Sequence, residues 1–163
     1  MTKAFRKDND LEKIVVNVGV GRARNLTQFE EKVLPAIQEE LSVVTGQKPS
    51  PRAAKKAVAS FKTREGDVVG LQVTLRGARM RDFLEKLVRI VLPRVKDFRG
   101  LDMRAVDERG ALNVGLREQY VFPEINQEKS KVSFGIQVTV VPRTRNRARA
   151  IAFYESAGVP LKK

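Results

Sequence analysis

Three segments of this chain alternate apolar and polar residues with a period of two, and that period limits what they can become. Ile14, Val16, Val18 and Val20 fall on one side of the Lys13–Val20 segment, with Val15, Asn17 and Gly19 on the other. Val69, Leu71, Val73 and Leu75 repeat the pattern within Asp67–Arg76, as do Val132, Phe134, Ile136, Val138 and Val140 within Val132–Val141. In a strand every second side chain points the same way, so each segment has one face to bury and one to wet. Strands of that kind suit an antiparallel sheet covered on one side only.

Helical spacing supplies the cover. Thr27 and Glu30 form a T-x-x-E pattern that predicts a capping box, opening a helix with the stripe Phe29, Val33, Ile37, Leu41 and Val44. Pro35 is expected to kink that helix or split off its first turn, and Gly46 to end it. A second helix carries Met80, Phe83, Leu84, Leu87, Val88 and Val91 inward, with Asp82–Lys86 and Glu85–Arg89 as i,i+4 pairs and Pro93 as its stop. A shorter one spans about Asn146–Ala157, before Gly158 and Pro160. Lys55–Lys62 reads as a strand paired with Asp67–Arg76 around the turn Thr63–Gly66, and Ala111–Leu116 as a further strand. The order β-α-β-β-α-β-β-α contains the split β-α-β-β-α-β arrangement. The expected fold is α+β, a single domain over residues 1–163, with a mainly antiparallel sheet and helices packed on one face. Residues 1–10 read as a short polar segment and 143–163 as an Arg-rich C-terminal helix and tail.

Charge then narrows function. Lys and Arg number 32 against 19 acidic residues, a formal net charge of +13. The excess is concentrated between Thr45 and Arg81, where Lys48, Arg52, Lys55, Lys56, Lys62, Arg64, Arg76, Arg79 and Arg81 face only Glu65 and Asp67. So much one-signed charge in a folded domain calls for an anionic partner, and a phosphate backbone fits best. The chain has no Cys and its His count is 0, which removes thiolate nucleophiles, ordinary zinc sites and histidine triads. Asp8 with Asp10, Glu39 with Glu40, and Asp107 with Glu108 read as surface pairs, with a metal-dependent nuclease as the distant alternative. No enzyme activity, cofactor, metal or small-molecule substrate is expected. No apolar run nears the ~20 residues of a membrane span, and the N-terminal residues lack the apolar core of a secretory signal, so neither an integral membrane protein nor a secreted one is expected.

Several residues are candidates for contact with nucleic acid. Asn17, Gln72, Thr74, Arg76, Asn113, Arg117, Gln137 and Thr139 share outward parity, with no carboxylate among them. A polar wet face is ordinary in such a sheet, but amides and arginines also suit RNA edges and 2′-hydroxyls. Phe61, between Ser60 and Lys62, is either a core aromatic or a platform for an unpaired base, with Lys62 and Arg64 on nearby phosphates. Gly19 and Gly21 follow a strand, yet Arg24 stands where a dinucleotide fingerprint needs its third glycine. A bend with Arg22 and Arg24 as phosphate contacts fits better. Arg143, Arg145, Arg147 and Arg149 either touch phosphates or form a solvated tract.

The Thr45–Arg81 stretch resembles the bacterial ribosomal protein L-five family, which binds 5S ribosomal RNA. So do Lys13–Gly21, Leu92–Gly100, and Glu118-Gln119 followed by Phe122–Ile125, and these motifs stand in the family's order. The resemblance implies a structural constituent of the large ribosomal subunit in the cytoplasm. It would anchor 5S rRNA in the central protuberance beside large-subunit rRNA and other 5S-binding ribosomal proteins, touch the elbow of the P-site tRNA, and reach a small-subunit head protein. It places Asn17, Gln47, Phe61 and Arg64 on 5S rRNA and the Phe61–Asp67 turn, with Thr63, near tRNA. With the basic residues above, the expected RNA-binding set is Asn17, Arg22, Arg24, Gln47, Lys48, Lys56, Phe61, Lys62, Thr63, Arg64 and Arg76. A free-standing RNA-binding translational regulator is the alternative. Three departures from the family stand out: only about ten polar residues precede Leu11 where a helix is usual, Gly110-Ala111 replaces Gly-Asn, and the last helix is rich in Arg.

Overall fold

The computed structural model describes residues 10–21, 23–61, 63–128, 130 and 132–162, and of Phe61 the backbone only. Among these residues five strands form one antiparallel sheet in the order β2-β3-β1-β5-β4. They are β1 (Leu11–Gly19), β2 (Ser50–Ala53), β3 (Val68–Leu75), β4 (Leu112–Leu116) and β5 (Ile136–Pro142). β1 is central, with Ile14 opposite Leu75 of β3 on one side and Val140 of β5 on the other. β2 runs parallel to β1 with β3 between them, which is the split β-α-β arrangement expected from the order of elements. Ile14, Val16, Val18, Leu71, Val73, Leu75, Val138 and Val140 all point inward and are at most 1% exposed.

Two strands differ from expectation. Pairing with β3 falls to Ser50–Ala53, not to Lys55–Lys62: Ser50 lies opposite Gln72 and Arg52 opposite Gly70. Residues 55–60 are exposed and have no core to pack against, and the described residues of 54–67 form a loop instead. Its base is closed by Ala54 N–H to Asp67 O at 2.8 Å and Gly66 N–H to Ala54 O at 3.0 Å. Pro51 is tolerated in β2 because the strand lies at the edge. β5 starts at Ile136 rather than Val132, for a different reason. The fully buried Gln119 accepts from the Phe134 N–H at 3.0 Å and donates to Val132 O at 2.7 Å, so a side chain takes the backbone groups a ladder would use.

Both long helices carry the mark of a proline. A wide π turn at Phe29–Val33 precedes α1 (Leu34–Thr45), and the Leu34 N–H bonds to Phe29 O. α2 begins as Gly77–Lys86, widens over Leu87–Val91, where the Leu92 N–H bonds to Leu87 O, and closes with Leu92–Arg94. Pro35 and Pro93 have no N–H to continue the ladder and their rings crowd the preceding turn, which the five-residue bond pattern relieves. α1 thus loses its first turn as expected, while α2 runs one residue past Pro93. The capping box does not form: Gln28, in a left-handed conformation at φ 58°, occupies the capping position without a side-chain bond.

Helix packing closes one face of the sheet. The Glu85–Arg89 pair forms at 2.8 Å, but Lys86 turns from Asp82 to Glu124 at 2.5 Å and to Val44 O at 2.7 Å, over the rings of Phe83 and Phe122. One ammonium thereby ties the end of α1, α2 and the segment after β4. The third helix, α3 (Arg147–Ser156), is capped by Asn146, whose Oδ1 accepts from the Arg149 N–H at 3.1 Å. Its fully buried Tyr154 donates to Gly110 O at 2.7 Å and lies 3.2 Å from Val140 O; burial pushes the phenol well above its ordinary pKa. No helix among the described residues is long and apolar enough to cross a membrane.

Gly110 sits at φ 85°, and a Cβ there would stand 2.6 Å from the Cβ of Ala150. Gly115, in β4, has nothing within 4 Å of the same position. Gly110→Ala is expected to destabilise the fold by about 3 kcal/mol through strain and overpacking, and Gly115→Ala by less than about 1 kcal/mol. Chemical denaturation of both variants checks this; equal midpoints would refute the packing of α3 against the turn before β4.

Candidate nucleic-acid interface

The uncovered face of the sheet is built from rows of facing residues. Ser50, Gln72, Asn17, Gln137 and Gly115 form one row across all five strands, and Thr74, Val15, Thr139 and Asn113 the next. Neither row contains a carboxylate. Arg52 donates to Gln72 Oε1, and Gln72 Nε2 donates to Asn17 Oδ1 at 3.1 Å, a relay across three strands. Thr139 donates to Asn113 Oδ1 at 2.8 Å. With their oxygens engaged, Asn17 and Asn113 keep NH2 groups without a partner among the described residues, which suits phosphate, ribose and base-edge acceptors.

At the β2 edge the 54–67 loop adds charge. Val58 and Thr63 pair within it, at 2.9 and 3.2 Å, and a short 3-10 turn at Ala59–Phe61 forms its far end. Asp67 holds its base: Oδ2 accepts from the Arg64 N–H at 2.5 Å and lies 2.7 Å from the Arg24 guanidinium. The Arg64 N–H, and then Arg24, hold this carboxyl below its ordinary pKa.

The expected site residues divide into three groups. Asn17, Gln47, Lys48 and Arg76 gather on the β1-β3-β2 half of the sheet. Lys48 is exposed, and Gln47 Nε2 donates to Thr74 O at 3.3 Å, bracing the end of β3. Arg76 is exposed on the rim and donates to Glu12 O at 3.2 Å. Lys56, Thr63 and Arg64 belong to the loop, with Lys56 and Arg64 exposed and Thr63 partly covered. Arg24 does not project into solvent alone; it is bound to Asp67. Arg22, Lys62 and the side chain of Phe61 lie outside the described residues. The Arg-rich tract also splits. All four are exposed, but Arg143 donates to Leu11 O at 3.2 Å and Arg147 to Val106 O at 3.1 Å and Met103 O at 2.8 Å, while the Arg145 and Arg149 side chains make no such bond among the described residues. Arg52 counts among the cations of Thr45–Arg81 but not in the expected RNA-binding set, because its role depends on β2 lying at Ser50–Ala53. Among the described residues no group of three or more Asp, Glu, His or Cys could hold a metal ion.

The Asp67 bonds should be pH-dependent in one direction. A carboxyl whose pKa is depressed on folding contributes fully above its unfolded value of about 3.9, and the contribution is lost as pH falls through the folded value. Exchange protection of the Arg64 amide should therefore fall as pH drops below about 4, and Asp67→Asn should remove that pH dependence. Two-dimensional NMR hydrogen exchange tests this; protection unchanged by acid in the parent would show that Asp67 does not hold the loop.

Comparison with known proteins places this architecture. The family described as ribosomal protein L5 matches residues 9–64, and the model of the same ribosomal family's C-terminus matches residues 68–161. The large ribosomal subunit protein uL5 of Anaeromyxobacter sp. (strain Fw109-5) is 45% identical over 152 residues, covering 93% of this chain and 82% of the relative. The proteins of the same description from Fusobacterium nucleatum and Acholeplasma laidlawii are each 47% identical over 153 residues, with 94% of this chain covered and 81% and 83% of the respective relatives. The chain belongs to the ribosomal protein L5 family and is a non-enzymatic structural constituent of the large ribosomal subunit.

Proposed function

We propose that this protein anchors 5S rRNA in the central protuberance of the large subunit of the cytoplasmic ribosome. The observation that carries the reading is the junction of the exposed basic 54–67 loop with a sheet face free of carboxylates. Lys48, Lys56, Arg64 and Arg76 supply the charge that holds a phosphate backbone, while Asn17 and its hydrogen-bonded neighbours supply directed donors. Charge positions an RNA without reading it, and the ordered amides are what can discriminate one folded RNA from another. Phe61 is assigned to stacking on an unpaired base, and the Phe61–Asp67 turn to the elbow of the P-site tRNA. Large-subunit rRNA, other 5S-binding proteins and a small-subunit head protein complete the set of neighbours. The family membership and the 5S resemblance support these assignments together.

Purified protein should bind 5S rRNA with steep salt dependence. If ~5 phosphates are neutralised, log affinity should fall against log salt with a slope of roughly −3.5 to −4.5. Arg64→Ala should reduce the slope by about one unit, and Phe61→Ala should cost roughly 1–3 kcal/mol of binding, with melting temperatures near that of the parent. Leu87→Ala, which opens the buried face of α2, should instead cost about 2–5 kcal/mol of stability. Equal affinity for any RNA of similar size would refute specific 5S recognition. Native protein that sediments free of large subunits would favour a regulator outside the ribosome.

A further inference from the structure

A second basic surface lies at the other edge of the sheet, away from the 54–67 loop. It is a cleft of about 560 Å³ between the end of α2, the end of β4 and the C-terminal tail. Lys96, Arg99, Arg117 and Lys162 surround it, and Asp97 and Glu118 are the only acids among the described residues that line it. None of the four cations has an ion pair or a side-chain hydrogen bond among the described residues, and all four are exposed. The floor is apolar, made of Val95, Phe98, Leu116 and Val121.

Backbone bonds hold the shape of this cleft. The Leu101 N–H bonds to Pro160 O at 2.7 Å and the Lys162 N–H to Leu101 O at 2.8 Å, so the tail is stitched beside the end of α2. Gly100, at φ 98°, permits this approach: a Cβ there would meet Lys162 Cγ and Pro160 O at 3.1 Å. Gly115 and Leu116 line both the cleft and a depression of about 400 Å³ on the open sheet face, beside Asn17, Asn113 and Gln137. Gly115 has no side chain to separate the two. A chain lying on the amide-rich face can therefore pass over the end of β4 into the cationic cleft.

We propose that this cleft is a second RNA-binding surface, taking an unpaired nucleotide on its apolar floor and the flanking phosphates on Arg99, Arg117 and Lys162. Four unpaired cations against two acids favour a polyanion, and the apolar floor favours one with a flat apolar group between its charges. The volume suits a nucleotide-sized group. Continuity with a carboxylate-free face favours RNA over an acidic peptide. The β2 and β4 edges are four strand spacings apart, ~19 Å at ~4.8 Å each, so one protein would hold two RNA segments. The inference extends the proposed function and rests on its RNA-binding reading.

The test uses the full chain with three labelled probes: 5S rRNA, a single-stranded oligouridylate and an oligoglutamate peptide. A cleft variant combines Arg99→Gln, Arg117→Gln and Lys162→Gln; a loop variant combines Lys56→Gln and Arg64→Gln. The cleft variant should lose oligouridylate affinity on the order of tenfold, with the salt slope reduced by about two units for three cations at about 0.7 each. Its melting temperature should match the parent, since exposed unpaired arginines add little to stability. Arg99→Lys with Arg117→Lys should bind as the parent does. The loop variant should chiefly lose 5S rRNA. Parental oligouridylate binding by the cleft variant overturns the proposal, as does an equal loss of 5S rRNA, which would make the two surfaces one footprint. Capture of oligoglutamate that oligouridylate cannot displace overturns it in favour of a protein partner. A parent that ignores 5S rRNA while the cleft variant still loses oligouridylate would remove the proposed function and leave the cleft standing.

Discussion

Everything in this fold depends on β1 being wetted on one face only. It is hydrogen-bonded on both sides, to β3 and β5, so its backbone is satisfied within the sheet. Ile14, Val16 and Val18 are buried beneath it and Asn17 stands above. A shift of one residue in either pairing would send the valines to water and Asn17 into the core. That penalty sets the register of the whole sheet, and the register in turn aligns Gln72, Asn17 and Gln137 into one row.

A few polar groups then decide how the covering layer sits. Gln119 is fully buried, yet each end of its amide is used: it bonds Glu40 on α1, Ser130, and the backbone of Val132 and Phe134. Lys86 binds the end of α1 and Glu124, its ammonium 5.7 and 5.8 Å from the centroids of the stacked Phe83 and Phe122 rings. Both cross-links join segments distant in sequence; the buried Gln119 is costly to leave half-bonded, whereas Lys86 and Glu124 meet at the partly exposed rim of the helix layer. They hold the connection from β4 to β5 at Gln119, Glu124, Ser130, Val132 and Phe134.

The distribution of charge follows the same division of labour. Arg24, Arg143 and Arg147 spend their guanidinium groups on the protein itself, on Asp67 and on backbone carbonyls. Arg64 and Lys56 remain exposed at one edge, and Arg99 and Arg117 at the other. Cations of the first kind are tied into the fold itself, and salt screens the Arg24–Asp67 pair among them. Those of the second kind repel one another until an anion arrives, which is how a basic constituent of a ribonucleoprotein becomes more stable in its complex than alone.

Period and composition alone determined the α+β class, the order of elements, the inward faces of β1, β3 and α2, and a basic protein without thiol or imidazole chemistry. These are local properties: alternation, helical spacing and charge are written within a few residues of one another. Pairing is not local, and there the sequence misled. Lys55–Lys62 reads as the strand that pairs with Asp67–Arg76 around a turn, but only the tertiary structure shows that residues 55–60 are exposed and that Ser50–Ala53 takes the place beside β3. Thr27 and Glu30 spell a capping box that the left-handed Gln28 displaces. The candidate site was legible as residue types, with Asn17, Lys48, Lys56 and Arg64 visible in sequence. The Arg52–Gln72–Asn17 relay, the withdrawal of Arg24 onto Asp67, and the cleft that unites Arg99, Arg117 and Lys162 were not. Each brings together side chains dozens of residues apart, and such neighbours exist only after the chain has closed the loops between them.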